Sequence, residues 1–249
     1  MLAEYTREEL ATGMDRVVNG ILTDAGIERP PVDAFDAAQR LGIVVALDDR
    51  QEGRARYVRL SDRRSPRRRA SILLRPEPRQ ERRQWAVAHE IGEHVACRVF
   101  TEWGVDPCEA APDAREAVAN NLAGRLLLPT DWFIGDATVC GWDLVSLKAR
   151  YATASHELIA RRMLECRPPV IISIFDHSRM SLRRSNLPGR VPPPSPAELD
   201  CWRCVHRGNH VMEHREGPRT IRGWPIHEDG WKREILRTEM DEYLLDAWD

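Results

Sequence analysis

The chain predicts a mixed α+β fold, and three observations lead there. Helix-period apolar stretches and short β-rich runs alternate through the first two thirds of the sequence, two of the helical stretches carry His, Glu and Asn at one-turn spacings, and a proline-rich segment precedes a carboxy-terminal part with strand and helix signals of its own. A chain of 249 residues, 42% of them hydrophobic, is long enough to bury a sizeable core. Its formal charge of -2 provides no whole-molecule attraction to nucleic acid or to an acidic membrane. No run is apolar enough to span a bilayer and MLAEYTREEL lacks a secretory pattern, so a cytoplasmic protein without a membrane partner is expected. Six cysteines scattered through a chain of this length are expected as reduced thiols rather than as a disulfide framework.

Thr6 as N-cap, Glu8 and Glu9 in the first turn, and Leu10, Met14, Val17, Val18 and Ile21 on one face predict an opening helix that stops near Gly26. Pro30 and Pro31 break the chain; Val32 to Leu41 then reads as a second short helix and Ile43 to Leu47, IVVAL, as a buried strand. Arg54 to Leu60 and Ala70 to Arg75 read as two further strands. The five arginines between 63 and 69 that separate them fit a solvated hairpin tip better than a phosphate-binding patch. Pro76 and Pro78 end the second of these strands.

The stretch WAVAHEIGEHVACRVF, Trp85 to Phe100, carries the chemistry. On a helix His89 and Glu93 fall about 40° apart on one face, so both can hold one ion. Glu90 flanks that face, where a carboxylate can act as general base. Ala88 and Gly92 let another backbone come close. The pattern departs from the zinc-protease motif H-E-x-x-H by placing Glu93 where the second histidine belongs. His94, one place later, lies about 140° from His89, which leaves it a packing role or a role behind the ligands. A second amphipathic helix is predicted from Asp113 to Pro129. On it Glu116 could complete three protein ligands, and Asn120, one turn on, could orient one of them.

Together the segments AHEIGEH and REAVANNLAGRLLLPTDWF resemble the ImmA/IrrE family of metallo-endopeptidases, whose pattern is A-H-E-[IL]-x-H followed by E-x-x-A-N-x-[FL]-A-x-x-L-L-[ML]-P. The second half is the specific one: Glu116, Ala119, Asn120, Ala123, Leu126, Leu127, Leu128 and Pro129 all fall in place. The resemblance extends more weakly over about residues 5 to 175. It implies a zincin-like metallopeptidase core at residues 1–135, a helix-turn-helix-like helical pair at 136–167, and leaves 168–249 as a carboxy-terminal α/β extension. It also implies that His89 and Glu116 are metal ligands, Glu90 the catalytic base, and Asn120 a residue that orients them. Glu93 takes the place of the family's second histidine. Two carboxylates and one imidazole would cancel the charge of a divalent ion, which weakens its pull on a water or a carbonyl. Zinc is the expected metal, with manganese or iron as alternatives toward which the harder ligand set moves the preference.

The implied activity is that of an intracellular metal-dependent endopeptidase, and the implied partner a helix-turn-helix transcriptional repressor that it cleaves. The strand at Ile72 to Leu74 is expected to be the edge that pairs with an extended substrate. Two alternatives stand beside this reading. A pseudo-peptidase would bind the repressor without cutting it. A DNA-binding regulator would use Arg150, Arg161 and Arg162 of the helical pair on phosphates, although the neutral charge balance favours packing and protein recognition there.

Pro168 and Pro169 lead into VIISIF, a buried strand over 170 to 175, and the proline stretch from Pro188 to Pro196 reads as extended. Beyond it Cys201, Cys204, His206, His210 and His214 invite a zinc-finger reading. The spacing between Cys204 and His206 is too short for one, so an amphipathic helix holding Trp202 and Val205 is expected. The end of the chain reads as strand and then helix. Trp224, Trp231 and Trp248 are candidates for core or partner surface.

Overall fold

A computed structural model describes residues 6–50, 52–61, 68–166 and 168–240. The fold is α+β, as the sequence predicts. Most of the arginine run between 62 and 69, the expected terminal helix and Trp248 lie outside the described residues or side chains. The chain divides into two compact units, one reaching Trp142 and including Ser146–Ser155, the other made of Asp143–Val145 and the chain from His156 on.

The first unit opens with α1 (Arg7–Asp24), whose start is closed as the sequence predicts: Thr6 Oγ1 accepts from the Glu9 N–H and the Glu9 carboxylate accepts from the Thr6 N–H. α2 (Ala34–Arg40) is capped by Asp33, which accepts from the N–H groups of Phe35 and Asp36. A three-stranded sheet follows in the order β1 (Val44–Leu47), β3 (Arg68–Leu74), β2 (Ala55–Ser61), parallel between β1 and β3 and antiparallel between β3 and β2.

Two expectations about this sheet are corrected. IVVAL is not a buried strand: only Ile43 is enclosed, whereas Val44 is 49% and Leu47 72% exposed, because β1 is an edge strand. An apolar run of that length does not reveal on which side it is covered. Nor is the Ile72 to Leu74 stretch an edge. Ile72 pairs with Val45 on one side and Tyr57 on the other, so β3 is central and has no free backbone to offer a substrate.

α3 (Gln80–Glu102) and α4 (Pro112–Leu127) form the body of this unit. α3 buries Val87, Ala88, Ile91, Val95 and Val99, and α4 buries Ala119, Leu122, Ala123, Leu126 and Leu127. They cross at Gly92, where an added Cβ would stand 2.6 Å from the Ala119 carbonyl oxygen. Glycine is therefore required for this approach. Gln84 is buried, and its Oε1 accepts from the Ala34 N–H at 2.7 Å. Arg125, nearly enclosed, reaches Asp15 at 2.6 Å and so ties α4 to α1. A helix that the sequence reading did not single out, α5 (Thr130–Val139), follows Pro129.

α6 (Leu144–Arg150) and α7 (His156–Met163) are the two short helices expected after it, but they do not form a unit of their own. Residues 146–150 belong to the first unit and α7 to the second. The arginines considered for phosphate contact have carboxylate partners: Arg150 with Asp136, Arg161 with Glu157, and Arg162, which is buried, with Glu165.

The second unit contains α7, β4 (Val170–Asp176), β5 (Arg179–Ser185), α8 (Pro196–Gly208), β6 (Met212–Glu216), β7 (Arg219–Glu228) and β8 (Trp231–Met240). The five strands run antiparallel in the order β5-β4-β8-β7-β6. β4 is buried along its length except at Asp176, as VIISIF predicts. α8 is the expected amphipathic helix, started by a Ser195–Glu198 capping box, and it packs Ala197, Cys201 and Val205 against Phe175, Ile221 and Leu236. Trp224 is core, with its indole N–H donating to Asp143 at 3.1 Å; Trp231 is half-buried against His177. All six cysteines are free thiols. No helix among the described residues is long and apolar enough to cross a membrane.

Candidate metal centre

The close crossing of α3 and α4 brings the sequence-predicted ligands together. A ligand atom from each of His89, Glu93 and Glu116 lies within 4.8 Å of the other two. His89 and Glu93 share a face of α3 because they are one turn apart, and Glu116 reaches them from α4. The His89 Nε2 stands 3.6 Å from the Glu116 Oε2. In a tetrahedral site with bonds of about 2.0–2.1 Å, neighbouring donor atoms are about 3.3 Å apart, so this separation leaves room for an ion between them.

Asn120 sets the histidine's orientation. Its Oδ1 lies 3.2 Å from His89 Nδ1 and its Nδ2 donates to Glu116 Oε1 at 3.0 Å. With Oδ1 as acceptor, the proton sits on Nδ1 and the lone pair of Nε2 is turned toward the carboxylate. One amide thus positions a ligand from each helix. His89 is 17% exposed at its side chain and Glu116 61%, so the cluster is anchored in the protein on the α3 side and open to solvent on the α4 side.

Glu90, next to His89 on α3, is buried and lies close enough to His89, Glu93 and Glu116 to feel their charges. Its Oε2 accepts from the Tyr57 backbone N–H at 2.5 Å, which ties α3 to β2. Burial pushes its carboxyl above the ordinary glutamate value, opposed by the nearby His89 and by the Tyr57 N–H. A cation held by the neighbouring cluster would act in the same direction as His89. His94 is turned away from the cluster toward β2: its Nδ1 is hydrogen-bonded to the Tyr57 hydroxyl at 2.7 Å and the rings are 5.0 Å apart. Tyr57 is the residue that the sequence reading missed, since it contacts both Glu90 and His94 from a strand more than thirty positions earlier. RARYVRL shows an aromatic in a strand, but nothing in it names the partner.

The motif around Cys201 comes apart in the structure. Cys201 is buried in the apolar core under α8, where burial pushes its thiol up to about 11, while Cys204 and His210 are exposed. His206 is engaged elsewhere, with His227 and Glu234.

The donor set at α3 and α4 fits the group that its motif implies. One imidazole with a prepared lone pair and two carboxylates can hold a divalent transition ion, and the open side leaves a position for a further ligand.

Comparison with known proteins shows the family. Residues 38–164 match the model of a peptidase family described as the IrrE N-terminal-like domain, a metallopeptidase-type domain. The match takes in β1 to β3, α3, α4 and every residue of the cluster. Among solved structures, a Mycobacterium tuberculosis transcriptional regulator shares the fold, with a TM-score of 0.64 and 18% identity over 92% of this chain and 76% of that one. No match is found among curated proteins. With half of its length inside that match, the chain belongs to the IrrE N-terminal-like peptidase family.

Proposed function

We propose that the protein is an intracellular metal-dependent endopeptidase, with His89, Glu93 and Glu116 as its metal ligands and Glu90 as its general base, and that it cleaves a helix-turn-helix transcriptional repressor. The observation that carries this reading is the meeting of ligand atoms from α3 and α4 within 4.8 Å, with Asn120 bonded to both helices' ligands. The partner rests on the family resemblance, and the description of the similarly folded structure as a transcriptional regulator is in keeping with it. Six free thiols suit a reducing cytoplasm.

The metal, zinc or a harder ion such as manganese or iron, would supply Lewis-acid polarisation of the scissile carbonyl and of the attacking water. The chain's own residues do the rest. Asn120 holds His89 Nε2 and Glu116 toward the same point. Glu90 takes a proton from the water and returns it to the leaving amine, and the Tyr57 N–H fixes the carboxylate for both steps. Since β3 is paired on both sides, β2 is the strand beside α3 whose outer edge lies nearest the site, and it replaces β3 as the candidate platform for an extended substrate. Incubating the protein with the repressor and a divalent metal tests the reading: cleavage by the wild type and its loss in Glu90→Gln are expected, whereas equal cleavage by both would reject Glu90 as the base.

A second reading has one observation of its own. With Glu93 beside Glu116 the cluster brings two negative charges to a divalent ion, which weakens its pull on a water or a carbonyl and suits a pseudo-peptidase that binds its repressor without cutting it. Under that reading the wild type binds but does not cleave, and Glu93→His gains cleavage.

A further inference from the structure

The second unit holds another group of metal-ligating side chains that no part of the peptidase site uses. Glu234, on β8, is fully buried. A buried carboxylate must be compensated. Glu198, in the same unit, is compensated by the Arg183 guanidinium at 2.9 Å. Glu234 instead meets two imidazoles at one oxygen: His206 Nδ1, from α8, lies 2.9 Å and His227 Nε2, from β7, 2.6 Å from its Oε1.

We propose that His206, His227 and Glu234 form a second metal site, for a divalent ion of the zinc class, that staples α8 to the β7–β8 hairpin. One donor atom from each of the three lies within 4.8 Å of the others. Two imidazoles with one carboxylate is a donor set of the kind that binds zinc in proteins, and it favours zinc-class ions over calcium or magnesium, which take mostly oxygen ligands. The present separations are those of ring N–H groups bonded to a carboxylate. Moving each ring outward by about half an ångström gives the donor spacing of a tetrahedral ion.

The surroundings are built to hold these donors. The Trp202 indole N–H donates to Oε2 of Glu234 at 3.1 Å and leaves Oε1 for the shared point. Trp202 is itself fixed by stacking on Phe175 at 4.9 Å and lies 5.6 Å from the His206 ring. The outward nitrogen of His206, Nε2, is 3.4 Å from Ser178 Oγ, which presents Nδ1 inward. His206 is 25% and His227 11% exposed at their side chains, so solvent can deliver an ion and a fourth ligand. The neighbouring Cys-x-x-Cys does not contribute: Cys201 belongs to the apolar core and Cys204 faces solvent. The three ligands are 21 and 7 positions apart, a spacing with no recognisable motif, which is why the sequence does not announce the site.

The test uses the full chain, stripped of metal by chelation, with zinc titrated against a chromophoric chelator and stoichiometry read by native mass spectrometry. The wild type is expected to bind two equivalents and a His89→Ala/Glu116→Ala variant one. In that background His227→Gln is expected to weaken the remaining zinc by more than about 100-fold, as is His206→Gln, a partly exposed position chosen in case the first variant fails to fold by circular dichroism. The proposal is overturned if the His89→Ala/Glu116→Ala variant binds no zinc, or if its zinc persists with unchanged affinity in the folded histidine variants. A wild type that binds one equivalent, lost in His89→Ala/Glu116→Ala, would remove this site and leave the peptidase reading intact. One equivalent lost only with His206 and His227 would do the reverse.

Discussion

At the residue scale the decisive position is 93. A histidine there would leave a divalent ion with net positive charge, whereas Glu93 and Glu116 together neutralise it, so affinity for hard ions rises while polarisation of substrate falls. Manganese or iron should consequently support more activity than zinc, as an assay of the chelated protein with each metal added back would show. Glu90→Gln is expected to lower cleavage by about 10²–10⁴-fold without lowering metal content, because general-base catalysis contributes on that order and Glu90 is not among the three ligands. Asn120→Ala should weaken metal by about 10–100-fold, since it releases both the His89 ring and the Glu116 carboxylate, and isothermal titration would register it. That His89 and Glu93 would share a face was legible in the sequence because a one-turn spacing on a helix fixes it whatever the rest of the chain does, and the structure brings Glu116 to them. Tyr57, His227 and Glu234 were not legible, because their roles depend on which strand lies against which helix.

At the level of elements the site depends on how closely α3 and α4 approach. Gly92→Ala places a methyl 2.6 Å from a backbone oxygen of α4, which cannot swing aside as a flexible side chain would. The helices must separate, and Glu116 moves with α4. A loss of about 1–3 kcal/mol in denaturant unfolding is expected together with weakened metal binding; an unchanged midpoint and affinity would show that the crossing is more compliant than its geometry suggests. Sequence patterns named α1, α3, α4 and α8 well because each buries a face of the expected period, and β4 because its continuous apolar run is buried on both faces. They misjudged β1 and β3, since edge and centre are properties of pairing partners. They passed over β5, a polar strand whose outward face carries no hydrophobic signature.

For the whole molecule, acid stability follows from the paired, buried or half-buried carboxylates of the second unit. Burial alone would raise the Glu198 pKa, but hydrogen bonds from Arg183, Thr238 and the Ser195 N–H outweigh it and hold the carboxyl below its ordinary value. Burial is likewise outweighed at Glu234 by its imidazole and indole partners, and at Asp176 by Arg233 and Ser181. A folded-state value below the unfolded one stabilises fully above the ordinary carboxylate range, and that stabilisation is lost as pH falls through the depressed value. Unfolding midpoints should therefore be level near neutrality and fall in acid. Glu198→Gln should cost about 3–5 kcal/mol at neutral pH by leaving Arg183 buried without its counter-charge, and should flatten the acid limb. The division into two units was only partly legible: boundaries were expected after residues 135 and 167, while the observed one runs through α6 and again just before α7, where no compositional change marks it.

The central claim is that α3 and α4 build one metal site from His89, Glu93 and Glu116. Anomalous diffraction from crystals grown with manganese or zinc tests it most directly. A single strong peak within bonding distance of His89 Nε2 and of a carboxylate oxygen from both Glu93 and Glu116 is the expected result. Absence of any peak at that crossing, with the three side chains turned to separate partners at full metal occupancy elsewhere, would contradict it.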